Sequence, residues 1–206
     1  MVERASNPLP GKSPFCCKGH VYLAAQTFYD ERVPGGWIAV VEAAETAELR
    51  EFASQLFLAS ALYDVLPIVP LSRAAAHLCG LSHRQLVMEN ARWVARRDMT
   101  GTYRLLLKLA APAIVAPRLP RVSMRYFDFG GASADKKDER CFSAVQTGVP
   151  EPLADWMAWC VDAFVPVVLE ATGAKDVIVR RPTRAARDGE RGGVPTVSMH
   201  WEIAWT

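Results

Sequence analysis

The stretch that decides the fold is VSMHWEIAW, residues 197–205, close to the end of the chain. Its apolar and polar residues alternate without a break: Val197, Met199, Trp201, Ile203 and Trp205 share one side, and Ser198, His200, Glu202 and Ala204 share the other. Side chains on a β-strand point alternately to the two faces of the sheet. The stretch therefore predicts a strand with one face buried and one face in water.

The segment before this strand changes period. Between Gly148 and Gly173, apolar residues recur every three or four positions, which predicts one long helix with Pro166 as a local bend. The residues on its apolar side are Leu153, Trp156, Met157, Cys160, Phe164, Val167, Val168 and Ala171. A short strand is predicted over 176–180, followed by the charged sequence PTRAARDGERGG as a flexible loop.

A hairpin is predicted upstream of the long helix. RVSMRYFDF (121–129) and RCFSAVQT (140–147) have strand composition and flank the polar sequence GGASADKKDE. Together with the two later strands, they predict a four-stranded antiparallel sheet with a β-β-α-β-β order.

The first half of the chain is helical. Apolar spacing predicts helices over 21–33, 37–44, 46–62, 71–80, 83–97 and 101–111. Ser82 and Gln85 form a capping box that marks the start of the fifth helix. Residues 1–17 lack periodicity and predict a flexible tail. The expected fold class is α+β: one domain over 18–206 in which the N-terminal helices pack with the antiparallel sheet.

Composition limits the classes of function. The chain has 206 residues, of which 50% are hydrophobic and 22% charged, and a net charge of +2. These values predict a soluble globular protein that binds no nucleic acid. No uninterrupted apolar run approaches the roughly 18 residues of a membrane span, so none is predicted. Five cysteines, without the even spacing of a disulfide framework, predict a cytoplasmic location.

Reactive side chains are scattered. PFCCKGH (14–20) brings two thiols and an imidazole close in sequence, but no second ligand pair with zinc spacing follows, so no metal site is predicted. His200 and Glu202 could form an acid/base pair with Ser143 or Ser198, but a solvated sheet face is the favoured interpretation. The arginines Arg92, Arg96, Arg97 and Arg104 could hold an anion or could only meet water. No phosphate loop, nucleophile elbow or dinucleotide fingerprint is present.

The order of elements resembles that of the haem nitric oxide/oxygen-binding (H-NOX) domains and of the related V4R (vinyl-reductase) and TRAPP-like domains. Four stretches, LPIVPLSRAAAHLCGLS, TGTYRLLLKLAAP, RLPRVSMRYFDFG and VSMHWEIAW, resemble a myxococcal-type family of unknown function within this superfamily. The resemblance extends from Lys18 to Trp205 and implies the same α+β fold.

The resemblance also implies where haem is held in the H-NOX relatives. Their iron ligand is a His on the helix before the first strand, and the matching segment here, 101–119, contains no His. Their Tyr-x-Ser-x-Arg clamp corresponds to Cys141, Ser143 and Val145. We therefore expect no cofactor, and haem in particular is not expected.

A cavity between helices and sheet is the remaining candidate site, because ligand sites are concave and mostly apolar. The candidate lining residues are Trp93, Tyr103, Tyr126, Trp156 and His77. The predicted function is a non-enzymatic domain that senses a hydrophobic small molecule or an acyl chain. The alternatives are a TRAPP-like scaffold that forms a homodimer or binds a protein partner without a ligand, and an enzyme of unknown class.

Overall fold

The structure is a computed structural model that describes residues 8–98 and 111–206. The helices in these ranges are α1 (Gly19–Arg32), α2 (Gly36–Glu42), α3 (Ala47–Ala53), α4 (Ile68–Leu78), α5 (His83–Asp98), α6 (Pro112–Val115), α7 (Leu119–Ser123) and α8 (Ala154–Ala171). The strands are β1 (Cys16–Lys18), β2 (Leu62–Asp64), β3 (Gly131–Asp138), β4 (Cys141–Pro150), β5 (Ile178–Arg180), β6 (Ala186–Arg191) and β7 (Val194–Ala204). The predicted helix over 101–111 lies almost entirely outside the described residues.

A five-stranded antiparallel sheet forms one layer of the molecule. Its order is β3-β4-β7-β5, and β6 pairs with the same edge of β7 as β5 does, nearer the start of β7. Along β4 and β7, Phe142 pairs with Ile203 and Ala144 with Trp201. All four of these side chains are buried, so they form the inner face of the sheet. The α+β class is confirmed.

The helices cover this inner face. α8 packs against α5 and against the sheet, because its apolar side carries large side chains such as Trp156 and Met157, which are buried. Trp201 is only 3% exposed, as the alternation of VSMHWEIAW predicts. One continuous hydrophobic core therefore joins α1, α4, α5 and α8 to the sheet.

The long helix predicted between Gly148 and Gly173 is confirmed: a short 3-10 turn over Glu151–Leu153 leads into α8, which ends at Ala171. Within the described residues, only the stretch Glu151–Ala171 is long and apolar enough to cross a membrane, and half of it is buried inside the protein. Burial against α5 and the sheet explains its composition. The start of α5 also confirms its prediction, because the backbone N–H of Gln85 donates to Ser82 Oγ at 3.3 Å and that of Ser82 donates to Gln85 Oε1 at 3.0 Å.

The hairpin exists, but its first strand is displaced from the predicted one. Residues 119–123 form α7, and the polar sequence predicted as a loop forms β3 instead. β3 is an edge strand whose charged residues reach water, so its polarity does not oppose strand formation. The apolar residues that suggested a strand serve the core in another way: Phe129 is 2% exposed and packs edge-on against Phe15, with 5.5 Å between ring centroids.

The last residues of the predicted flexible tail, which was expected to end at residue 17, belong to the core. Phe15 and Cys17 are buried, and β1 pairs with β2. The Asp64 carboxylate on β2 accepts hydrogen bonds from the backbone N–H groups of Gly11 and Ser13, which hold the incoming chain in place. The helix predicted over 46–62 is therefore shorter in the structure: α3 ends at Ala53, and residues 62–64 form β2, which pairs with β1.

The loop predicted to be flexible before the last strand contains β6, which brings the sheet to five strands instead of four. All the residues of β6 are exposed, so its sequence carries no alternation. The strand is held by its backbone pairing with β7 and by Asp188, whose carboxylate accepts hydrogen bonds from Thr196 Oγ1 at 2.7 Å and from the backbone N–H of Gly148 at 2.8 Å.

Candidate ligand-binding site

A cavity of about 210 Å³ lies between the helices and the inner face of the sheet. Its wall is mostly apolar, with Ala91 and Val94 from α5, Trp156 from α8, and Ala144 and Ile203 from the sheet. A space of roughly 10–15 Å³ already admits one water molecule, so this cavity can hold a small organic molecule. The small side chains at positions 91 and 144 create the space, because larger residues there would fill it.

One end of the cavity opens to solvent. His20 at the start of α1 and Asp98 at the end of α5 line it and are exposed, and the imidazole of His20 stacks on Tyr126 with 5.7 Å between ring centroids. Desolvation raises the pKa of Asp98 above its usual value, while the nearby His20 and Arg97 lower it. We call this end, formed by His20, Asp98 and Tyr126, the cavity mouth.

Three side chains in the wall carry polar atoms that are buried and have no hydrogen-bond partner among the described residues: Asn90 Oδ1, Gln146 Nε2 and Trp201 Nε1. Gln146 is 5% exposed and Trp201 is 3% exposed. A buried polar group without a partner costs about 1–3 kcal/mol. We call these three residues the polar wall.

The residues proposed from sequence do not all meet at this cavity. Tyr126 and Trp156 line it. Trp93 lies on α5 outside the lining, where its Nε1–H donates to Glu31 Oε2 at 2.9 Å and the Arg97 guanidinium lies 5.0 Å above its ring. His77 is exposed on α4, away from the cavity. Tyr103 lies outside the described residues.

Sequence reasoning missed Asn90 and Gln146, and for Gln146 a signal was available. On β4 the buried side chains Phe142 and Ala144 alternate with half-buried ones, and Gln146 continues the buried set. An amide on the core face of a strand indicates either a buried partner or a binding role.

Two other groups of reactive residues were weighed in the sequence. Ser143 pairs with Glu202 and Val145 pairs with His200 across β4 and β7. Ser143, Glu202 and His200 are not among the residues that line the cavity, and His200 is exposed. Cys17 is buried in the core, where burial raises the pKa of its thiol. In residues 8–98 and 111–206, no three His, Cys, Asp or Glu side chains form a group that could hold a metal ion.

A serine and a histidine do come together elsewhere, where His83 Nε2 lies 2.7 Å from Ser72 Oγ. The Ser72 hydroxyl donates to the carbonyl of Val69, so it accepts from the imidazole. Burial and the nearby Arg73 lower the pKa of His83 to about 4. Because Ser72 is only 1% exposed, its hydroxyl cannot reach a substrate, and the pair is structural.

No family model matches the chain, and no curated protein matches its sequence. Solved structures do match: Fe(II) unliganded H-NOX from K. algicida has a TM-score of 0.63 at 12% identity and covers 92% of this chain and 96% of that one. An oxygen-binding H-NOX domain related to soluble guanylate cyclases, in its oxygen complex, has a TM-score of 0.62 at 9% identity, with coverage of 92% and 95%. An H-NOX structure from work on heme distortion has a TM-score of 0.60 at 9% identity, with coverage of 91% and 93%. The H-NOX-like fold is thereby confirmed.

This finding corrects the prediction that the chain has no cofactor, because structural neighbours over nine-tenths of its length are haem proteins. The prediction rested on the segment 101–119 and the positions of the Tyr-x-Ser-x-Arg clamp, although His20, His77, His83 and His200 left another geometry open. His20 reaches the cavity from α1, and Met157 lines it from α8. Imidazole and thioether are both known ligands of haem iron, so the lining contains side chains of a type that can ligate it.

Proposed function

We propose that this chain is a sensor domain that binds a small, mostly apolar molecule in the cavity between α5, α8 and the sheet. The observation that carries the proposal is the cavity itself, about 210 Å³ of mostly apolar space beside the continuous hydrophobic core. Protein interiors leave few voids larger than a water molecule, so a space of this size with a mouth at the surface indicates a ligand.

The position of the cavity suits a sensor. Its wall joins α1, α5, α8 and the sheet, so a molecule bound there contacts every layer of the fold. A ligand shifts a conformational equilibrium by its difference in affinity for the two states. Packing changes at the cavity would reach the surface through His20 and Asp98 at the mouth.

All five cysteines are free thiols, which favours a reducing compartment such as the cytoplasm.

Filling the cavity tests the proposal. Ala91 is buried in the wall, and Ala91→Phe places a ring in the space where the ligand binds. The matched control is Ala47→Phe, the same change at an exposed position on α3. Each protein is first passed over a hydrophobic resin to remove co-purified molecules and is then titrated with butylbenzene by calorimetry.

We expect saturable binding of one butylbenzene per chain to the parent and to Ala47→Phe, and its loss in Ala91→Phe. The melting temperature of Ala91→Phe should stay at or above that of the parent, since cavity filling often stabilises a protein. If the parent binds no butylbenzene, or if a folded Ala91→Phe binds it as well as the parent, the cavity is not a ligand site. The TRAPP-like scaffold then becomes the leading function.

Haem is the second candidate ligand, favoured by the structural neighbours and by the donor chemistry of the cavity. His20 would hold the iron, and the bound haem would supply the binding of a diatomic gas. Titration with hemin, followed by visible absorbance, tests this with His20→Ala and with His77→Ala as a control outside the cavity. A sharp Soret band in the parent and in His77→Ala that is lost or shifted in His20→Ala supports haem. The same band in all three proteins would show that His20 is not the ligand.

A further inference from the structure

The polar wall lies where the fold would otherwise be wholly apolar. In the register of β4 and β7, Gln146 pairs with Met199 and Trp201 pairs with Ala144, so Gln146 and Trp201 are diagonal neighbours on the inner face of the sheet. The residues next to them on that face, Phe142, Ala144 and Ile203, are apolar and buried. Asn90 faces the same cavity from α5 on the helix side.

The chemistry of these groups determines what they can bind. An indole N–H is a hydrogen-bond donor only, and an amide nitrogen is also a donor. Trp201 Nε1 and Gln146 Nε2 are both buried and lack a partner among the described residues. Two neighbouring donors in an apolar wall match a ligand atom that accepts hydrogen bonds, such as a carbonyl oxygen.

The charge of the lining residues further limits which ligand classes the cavity can bind. Among the described residues that line the cavity there is no Lys or Arg, and the carboxylate of Asp98 lies at the mouth. An anion buried in this wall loses its hydration, and the only basic side chain among the described lining residues is that of His20 at the mouth, so its burial is costly. Burying a neutral carbonyl oxygen has a smaller desolvation free energy than burying an anion, and hydrogen bonds from two donors offset it.

We propose that the cavity recognises a neutral molecule with an apolar body and one carbonyl-type oxygen, and that Gln146 and Trp201 donate hydrogen bonds to that oxygen. This inference rests on the proposed function, since it specifies the ligand of the same cavity. It assigns these two residues of the polar wall a role in specificity: the apolar lining supplies affinity for any molecule that fits, and the two donors select a molecule that carries an acceptor.

Three compounds with the same phenyl group and the same number of carbons separate these contributions. Butylbenzene is a hydrocarbon, 4-phenylbutan-2-one adds a neutral carbonyl oxygen, and 4-phenylbutanoate carries a carboxylate. Their dissociation constants are measured by calorimetry for the parent, for Gln146→Leu and for Trp201→Phe. Both substitutions remove a donor and place an apolar side chain there. Leucine is close to glutamine in size, whereas phenylalanine is smaller than tryptophan, so butylbenzene is the control for a change in the shape of the cavity.

The octanol–water partition coefficients of butylbenzene and 4-phenylbutan-2-one predict how much more weakly the ketone should bind if hydrophobicity alone set the affinity. For the parent, we expect the ketone to bind about 3- to 10-fold more tightly than this prediction. This advantage should be lost in Gln146→Leu and reduced in Trp201→Phe, while butylbenzene binds all three proteins alike. The ligand-free Gln146→Leu should be at least as stable as the parent, because a buried amide without a partner has been removed.

Other outcomes overturn the inference in distinguishable ways. If the ketone has no such advantage, or keeps it in both variants, the donors do not select the ligand, although the cavity remains a binding site. If 4-phenylbutanoate binds most tightly, the ligand class is anionic instead of neutral. If none of the three compounds binds the parent, the proposed function fails, and this inference fails with it.

Discussion

The Asp64 carboxylate fixes the first described residues to the core. It accepts hydrogen bonds from the backbone N–H groups of Gly11 at 2.9 Å, Ser13 at 3.1 Å and Leu66 at 2.9 Å, and the residue is 5% exposed. Asp64→Ala leaves these donors without their acceptor, so we expect the free energy of unfolding to fall by about 3 kcal/mol or more. Urea denaturation measures this change. Asp135→Ala, at an exposed position of β3, should change it by less than about 0.5 kcal/mol, and equal losses in both variants would contradict the account.

His83 makes stability depend on pH. Burial and the nearby Arg73 lower its pKa from 6.5 to about 4, against a smaller opposing effect of Asp155. Between these two values the unfolded chain binds a proton that the folded chain does not, so this contribution to stability is complete above pH 6.5 and is lost as the pH falls towards 4. His83→Gln keeps a donor for Ser72 and does not titrate. Urea denaturation between pH 7 and 4.5 should give a flatter profile for His83→Gln, and an unchanged profile would show that His83 is not responsible.

At the level of elements, the start of the β3–β4 hairpin depends on Gly130. Its φ is +75°, and a Cβ added there would lie 2.2 Å from the carbonyl oxygen of Thr147. Gly130→Ala therefore combines backbone strain with a clash against a central strand, and we expect a loss of about 3 kcal/mol or more in the free energy of unfolding. Gly80→Ala is the matched control, because φ is +64° there but nothing lies within 4 Å of the new Cβ. It should cost only about 1 kcal/mol, and a similar loss in both variants would contradict the role of the clash.

The elements that the sequence predicts well are those whose pattern repeats over many residues. α5, α8 and β7 each bury one face along their whole length, so their periodicity is clear in the sequence. β3 and β6 bury little, and only backbone pairing with a neighbouring strand makes them strands. Such pairing is a long-range property that local composition does not carry. The same reason explains β1, which the sequence assigns to a tail.

At the level of the whole molecule, the location of the site follows from the fold class, but its chemistry does not. A cavity between helices and sheet was expected, and Tyr126 and Trp156 lie in its wall. Trp93 and His77 also lie on helices, as Trp156 does, yet they are outside the lining, because which side of a helix faces a cavity depends on how the layers pack. Gln146 could have been found from the buried alternation of β4. Asn90 could not, since a single Asn on an amphipathic helix is usually exposed.

We propose that the space between α5, α8 and the sheet holds a small molecule. Native mass spectrometry of the protein as purified, without any added compound, tests it most directly, because the method reports whatever is bound. The account predicts a non-covalent adduct of one small molecule per chain in the parent and in Ala47→Phe, released on denaturation and absent from Ala91→Phe. A bare polypeptide mass in the parent, or the same adduct retained by Ala91→Phe, would contradict it.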